Sequence, residues 1–203
     1  LDQRKQVLLE RGEFSADAES FLTQNLLPAC GLIKKEIVSN CISSGVDVDE
    51  RLSFEKLVLS PSDCGFHNML RCSDGSISFL DFEYFGWDDP VKMVSDVLLH
   101  PGSALTSRLQ RSFWNNIHPR LSNIDPSFVV RTKLSYPVYA LIWCFIILAD
   151  FVPESWVRRK PAYSGLDRQT VLRHQLVKAA QMLQTAINGF DDNFNKTKKM
   201  EKY

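Results

Sequence analysis

Apolar side chains recur every three or four positions along most of this chain, and only one window, near residues 57–80, breaks into short extended runs. Between Ala16 and Ser44 the positions Phe21, Leu22, Leu26, Leu27, Ile33, Ile37 and Val38 follow the helical spacing, which predicts one long amphipathic helix or two abutting ones. Pro28 falls inside that stretch and is expected to kink or divide it, because proline has no N–H to donate and crowds the preceding turn. Gly45 is the expected stop. Similar spacing predicts helices over 104–117, 126–151 with Pro137 inside, and 166–189. Pro90 suits the first position of a further helix reaching Leu99, which Pro101-Gly102 ends.

The remaining window reads differently. Leu57 to Ser60 is a short extended run, and Met69–Cys72 and Ile77–Leu80 flank Ser73-Asp74-Gly75-Ser76. Asp-Gly between two short apolar runs predicts a hairpin. The expected fold class is therefore mainly α with a small β-hairpin, as one compact unit over 1–192. A polar, lysine-rich tail over 193–203 is expected to fray.

Charge and cysteine usage narrow the partners. Of 203 residues, 24 are basic and 24 acidic, so no net field draws in nucleic acid or an anionic membrane, and neither is expected as a partner. The five cysteines include no Cys-x-x-Cys pair, which points away from a disulfide scaffold or zinc site and towards a reducing cytoplasm. The apolar run Val138–Leu148 is shorter than the roughly 20 residues that span a bilayer, so a buried helix is expected there. The charged start, Leu1 to Lys5, has no long apolar stretch behind it, and no secretory signal is expected.

The candidate chemistry sits in and beside the hairpin. Asp63 is followed five positions later by Asn68, and Asp81-Phe82-Glu83 follows the second strand. In protein kinases a catalytic-loop Asp accepts the substrate hydroxyl proton, an Asn five residues on holds metal, and a strand-end Asp holds the bridging Mg²⁺. Oxygen-bearing groups of this kind suit Mg²⁺, which takes a few oxygen ligands and keeps waters. The competing reading is a set of turn-forming residues beside an ordinary hairpin. Glu83 reads equally as a site residue or as a charge at a strand end. Asp89 is expected to cap the helix that starts at Pro90, and Asp96 to tie that helix to the loop. His67 reads as a loop-stabilising side chain, while His100, His118 and His174 show no metal-ligand spacing. Cys64 has no base placed to activate it and reads as packing. Trp87 reads as a pocket wall or as core.

Around these positions, from Leu59 to about Leu99 and including Asp89-Pro90 and Asp96, the chain resembles the aminoglycoside phosphotransferase and choline kinase-like family. That family's signature is His-Gly-Asp-x-x-x-x-Asn followed by an aspartate-led strand end. The resemblance implies a protein kinase-like fold of which this chain is the helical C-terminal lobe, with catalytic loop and metal-binding hairpin at 59–99. It implies an ATP- and Mg²⁺-dependent transfer of the γ-phosphoryl to a small-molecule hydroxyl. Asp63 would be the catalytic proton acceptor, Asn68 and Asp81 would hold Mg²⁺ and thereby the nucleotide, and Glu83 would add a metal contact. Pro61 stands where the signature has His, and Glu83 where protein kinases have Gly. No glycine-rich phosphate loop or Val-Ala-x-Lys strand precedes Asp63, so the N-terminal nucleotide lobe is expected to lie elsewhere, as a partner to this chain. A pseudokinase-like binding or scaffolding module is the alternative function, and a metal-assisted phosphohydrolase a third.

Overall fold

The computed structural model describes residues 1–47, 49–63, 65–103, 105–163 and 165–191. It is mostly helical, and its strands form two two-stranded sheets, in keeping with a mainly α chain carrying a small hairpin. The tail at 193–203 lies outside the described residues. The described residues group into two compact units, one formed by residues 1–39 and 137–187 and the other by residues 40–136 and 188–191.

The first unit begins with α1 (Asp2–Arg11), an element the sequence pattern did not disclose, and α2 (Ala16–Ser20). Ser15 caps α2 by accepting from the Ala18 amide at 3.4 Å. A π-helical turn over Phe21–Leu26 then leads into α3 (Leu27–Ser44). This widened turn is how the helix meets Pro28: the proline cannot donate to the preceding turn, and the Leu27 amide bonds five residues back to the Leu22 carbonyl. At the far end of α3, Gly45 adopts φ +66°. The Val46 amide donates to Cys41 at 3.0 Å and the Gly45 amide to Ile42 at 3.3 Å, the paired bonds of a glycine C-cap.

In the same unit a fully buried carboxylate, Asp150, follows the apolar half of α6 (Phe128–Ile147). It accepts from Tyr163 Oη and Gln175 Nε2, both at 2.5 Å, and from Arg159 at 3.4 Å. Three donors from α7 (Pro153–Arg159), the turn after it and α8 (Arg168–Asn188) therefore offset the cost of burying the charge. Burial and then the Asp150 hydrogen bond push the Tyr163 phenol up to about 12. The helical stretch Phe128–Phe151 is longer than the apolar run the sequence suggested, and by length and composition it could cross a membrane. Its most apolar window is 56% buried inside the protein, which suits a core helix.

The second unit holds both sheets. Strand β1 (Val58–Ser60) pairs antiparallel with β4 (Gly86–Asp88), Ser60 opposite Gly86, and β2 (Met69–Arg71) pairs with β3 (Ile77–Phe79), Met69 opposite Phe79. The expected turn is present, with Gly75 at φ +84° and Asp74 accepting from the Ser76 amide and hydroxyl. Helix α4 (Pro90–Leu99) buries Val91, Val94, Leu98 and Leu99. Helix α5 (Ser107–Ile124) is capped by Thr106 and runs seven residues past the predicted end, through Pro119. It buries Trp114, whose ring lies 5.9 Å from Phe128 and 4.7 Å from Phe190.

One arginine ties this unit together. Arg131 donates to both Asp89 oxygens at 2.7 and 3.0 Å and through Nε to Asp125 at 2.9 Å. Asp89 also accepts from the Val91 amide at 2.8 Å, so the predicted cap of α4 is made and is itself clamped.

Candidate active site

The segment between β1 and β4 carries Asp63, Asn68, Asp81 and Glu83. It starts with a tight turn: the Asp63 amide donates to the Pro61 carbonyl at 2.7 Å around Ser62, whose φ is +59°. A three-residue turn of this hand is rare and strained for a non-glycine. Ser62 is held there by donating its amide to Ser60 Oγ at 3.1 Å and its hydroxyl to Asp88 at 3.4 Å. Asp88 in turn accepts from Lys92 Nζ at 2.7 Å, and Lys92 also reaches Asp96 at 3.1 Å. Burial pulls the Lys92 ammonium down, but Asp88 and Asp96 outweigh it and hold its pKa above the usual value. A chain of contacts thus runs from Ser62 through Asp88 and Lys92 to Asp96, the residue expected to tie α4 to the loop.

Asp63 emerges from this turn partly exposed. Its Oδ1 accepts from the Gly65 amide at 3.1 Å, and two imidazoles flank it: His67 Nε2 lies 3.4 Å from Oδ2 and His100 Nε2 lies 3.5 Å from Oδ1. The two rings stand 5.3 Å apart. His67 was foreseen as a loop residue. His100 was not; it stands at the end of α4, 37 positions along the chain, and no local spacing announces it. With proline at position 61, these imidazoles occupy the surroundings of Asp63.

Gly65 makes the arrangement possible. A Cβ at Gly65 would lie 2.3 Å from His67 Cε1 and 2.7 Å from His100 Cε1, far inside van der Waals contact, so no larger residue fits without moving a ring. His100 Nδ1 accepts from the Gly102 amide at 3.1 Å. That bond favours the neutral tautomer carrying its proton on Nε2, aimed at Asp63. Burial lowers the His100 pKa, the Asp63 charge opposes this, and His67 adds to the lowering.

Asp63, His67 and His100 have ligand atoms within 4.8 Å of one another, as a bound metal would require. The Gly102 bond argues against that use. To bind through Nε2, His100 would have to carry its proton on Nδ1, where it would face the Gly102 N–H. Carboxylate orientation is the better account of the two imidazoles.

Asn68 is buried at the end of the short helical turn that precedes β2, and its Nδ2 donates to the Asp63 carbonyl at 3.4 Å. The Leu80 amide donates to the Asn68 carbonyl at 2.8 Å, extending the β2–β3 ladder by one residue. This register sets Asn68 opposite Leu80, so Asp81 follows at the same end of the hairpin. Asp81 adopts φ +58°, the second left-handed non-glycine among the described residues. Among those residues no hydrogen bond or ion pair engages the Asp81 or Glu83 carboxylate, and both side chains are exposed. An amide and an unengaged carboxylate at one hairpin end fit the oxygen-rich, partly hydrated coordination of Mg²⁺.

The other candidates divide. Trp87 is exposed on β4 and tilts against Phe54 at 4.8 Å between centroids. His118 stacks on Trp114 and contacts its carbonyl, a packing role. Cys64 lies outside the described residues. Comparison of the chain with protein-family models, with curated proteins and with solved structures finds no match in any of the three.

Proposed function

We propose that this chain supplies the catalytic loop of an ATP- and Mg²⁺-dependent phosphotransferase that moves a γ-phosphoryl group to the hydroxyl of a small molecule. The supporting observation is the pair of left-handed residues, Ser62 and Asp81, one beside each half of the acidic constellation. Such backbone conformations cost on the order of 1–3 kcal/mol each, persist where the surroundings hold them, and cluster at functional sites.

In this reading Asp63 orients the acceptor hydroxyl and takes its proton. The two flanking imidazoles and the Gly65 amide hold its carboxylate while leaving it open to solvent. Asn68 and Asp81 would hold Mg²⁺, with Glu83 close in sequence to add a contact. The cation would neutralise charge on the β- and γ-phosphates. The nucleotide-binding lobe would come from outside this chain, because among the described residues the strands amount to two short pairs.

The test is Mg²⁺-dependent ADP formation by the protein with its nucleotide lobe, across a panel of hydroxyl compounds, beside Asp63→Asn. Acceptor-stimulated ADP lost in the variant is the expected result. Turnover equal in both proteins would sink the assignment of Asp63. Neither ATP binding nor turnover would leave the binding or scaffolding module standing.

A further inference from the structure

The second unit contains a cavity of about 600 Å³ whose walls come from three directions. Pro61 and Phe66, from the loop that carries Asp63, form one edge, and the cross-strand pair Met69 and Phe79 forms the hairpin wall. Met93 and Val97, one turn apart on α4, form the second wall. Leu109, Phe113 and Ile117, at helical spacing on α5, form the third. The volume falls within the roughly 300–1,000 Å³ range of small-molecule sites.

None of the thirteen lining residues is charged, and none is a histidine. Every acidic and imidazole side chain of the candidate site stays outside the cavity wall. Among the described lining residues, Ser103, Ser112 and Asn116 supply the polar side chains, enough for one or two hydroxyl or carbonyl groups. A cation entering here would lose its hydration with no carboxylate to replace it. Two methionines and three phenylalanines offer instead a polarizable lining that adapts to an apolar body.

We infer that this cavity holds the apolar body of an uncharged alcohol, the phosphoryl acceptor of the reaction proposed above. The inference rests on that reaction for the fate of the hydroxyl, but not for binding. Phe66 and Pro61 stand three and two residues from Asp63, so the cavity edge lies within roughly 10 Å of that carboxylate along the chain. An amino alcohol or aminoglycoside is the wrong chemistry for such a wall.

The chain's methionines give a direct readout, because among the described ones Met69 and Met93 line the cavity while Met182 does not. The whole protein, labelled with ¹³C at methionine methyls, is titrated with 2-(2-naphthyl)ethanol, a neutral primary alcohol, and separately with choline. Saturable shifts at Met69 and Met93 alone are expected with the naphthyl alcohol, and none with choline. Leu109→Glu, at a half-exposed wall position, should weaken binding at least about tenfold, some 1.4 kcal/mol. Phe66→Ser serves as the second variant.

Several results would overturn the inference: no saturation, shifts at all four methionines, equal response to choline, or binding unchanged in both variants. Sedimentation showing a dimer that Leu109→Glu dissolves would assign the cavity to a second copy instead. Choline-stimulated ADP formation with an unresponsive cavity would remove this inference and keep the phosphotransferase. Naphthyl alcohol bound at Met69 and Met93 but never phosphorylated with ATP and Mg²⁺ would overturn the acceptor role.

Discussion

Asp125 and Asp63 belong to the same unit and the same residue type, yet their surroundings differ in kind. Asp125 is fully buried and saturated: it accepts from the Ser127 hydroxyl at 2.6 Å, the Ser127 amide at 3.1 Å and Arg131 at 2.9 Å, with Lys56 at 3.4 Å. Burial alone would raise its pKa, but Ser127 and Arg131 outweigh burial and hold it below the usual carboxylate range. Asp63 has one amide donor and two imidazoles at longer range, and part of its carboxylate faces solvent. A carboxylate with every lone pair engaged is a strut. One held in place but not filled keeps lone pairs free for a further hydrogen bond.

Exchanging each group should expose that contrast. Asp63→Asn is expected to cut phosphoryl transfer by about 10²–10⁴-fold, the usual worth of a general base, while urea unfolding stays close to that of the parent. Asp125→Ala should do the reverse. Removing one partner of a buried pair costs about 3–5 kcal/mol, which a lowered urea midpoint would register. If Asp63→Asn lowered the midpoint as much as Asp125→Ala, the contrast would collapse.

Gly65→Ala probes the imidazoles without touching either carboxylate. The new methyl displaces His67 and His100, and transfer should fall about tenfold through misplacement of Asp63. Asp81→Gly should relieve a left-handed conformation and raise stability by up to about 1 kcal/mol, while Mg²⁺-dependent ADP formation is lost. A destabilised Asp81→Gly protein would show that the carboxylate supports the fold.

The smallest effect is on pH dependence. Burial lowers the His100 pKa in the folded state, so the unfolded chain binds more protons below its ordinary value of about 6.5. Stability from His100 is therefore complete above pH 6.5 and lost as pH falls through that value towards the folded pKa. His100→Gln should flatten the melting-temperature profile below about pH 6.5. An unchanged slope would remove burial of His100 as its source.

Local chemistry was legible in the sequence, and convergent chemistry was not. Gly45, the turn at Asp74-Gly75 and Pro90 with its Asp89 cap each act within a few residues, so their patterns survive in one dimension. Pro28 was read as a break, and the chain met it with a π-turn. Strand β4 went unseen because Gly86-Trp87-Asp88 has no alternation, and its strand character comes from pairing with β1. His100 at Asp63, and Arg131 between Asp89 and Asp125, join residues 37 and 42 positions apart, and nothing near either partner announces the other. Asp150 looked like the end of an apolar run because its donors, Arg159, Tyr163 and Gln175, all lie further on.

The pairing of Ser60 with Gly86 carries a consequence for how this region can be handled as a piece. It sets the two ends of the stretch 61–85 on neighbouring strands, about 5 Å apart across the ladder, so the stretch leaves and rejoins the body at one neck. Asp63, Asn68, Asp81 and Glu83 all lie within it. Bridging that neck would restrain the stretch without reaching inside, whereas moving it to another antiparallel pair would leave behind His100 and Asp88, which flank Asp63 and Ser62.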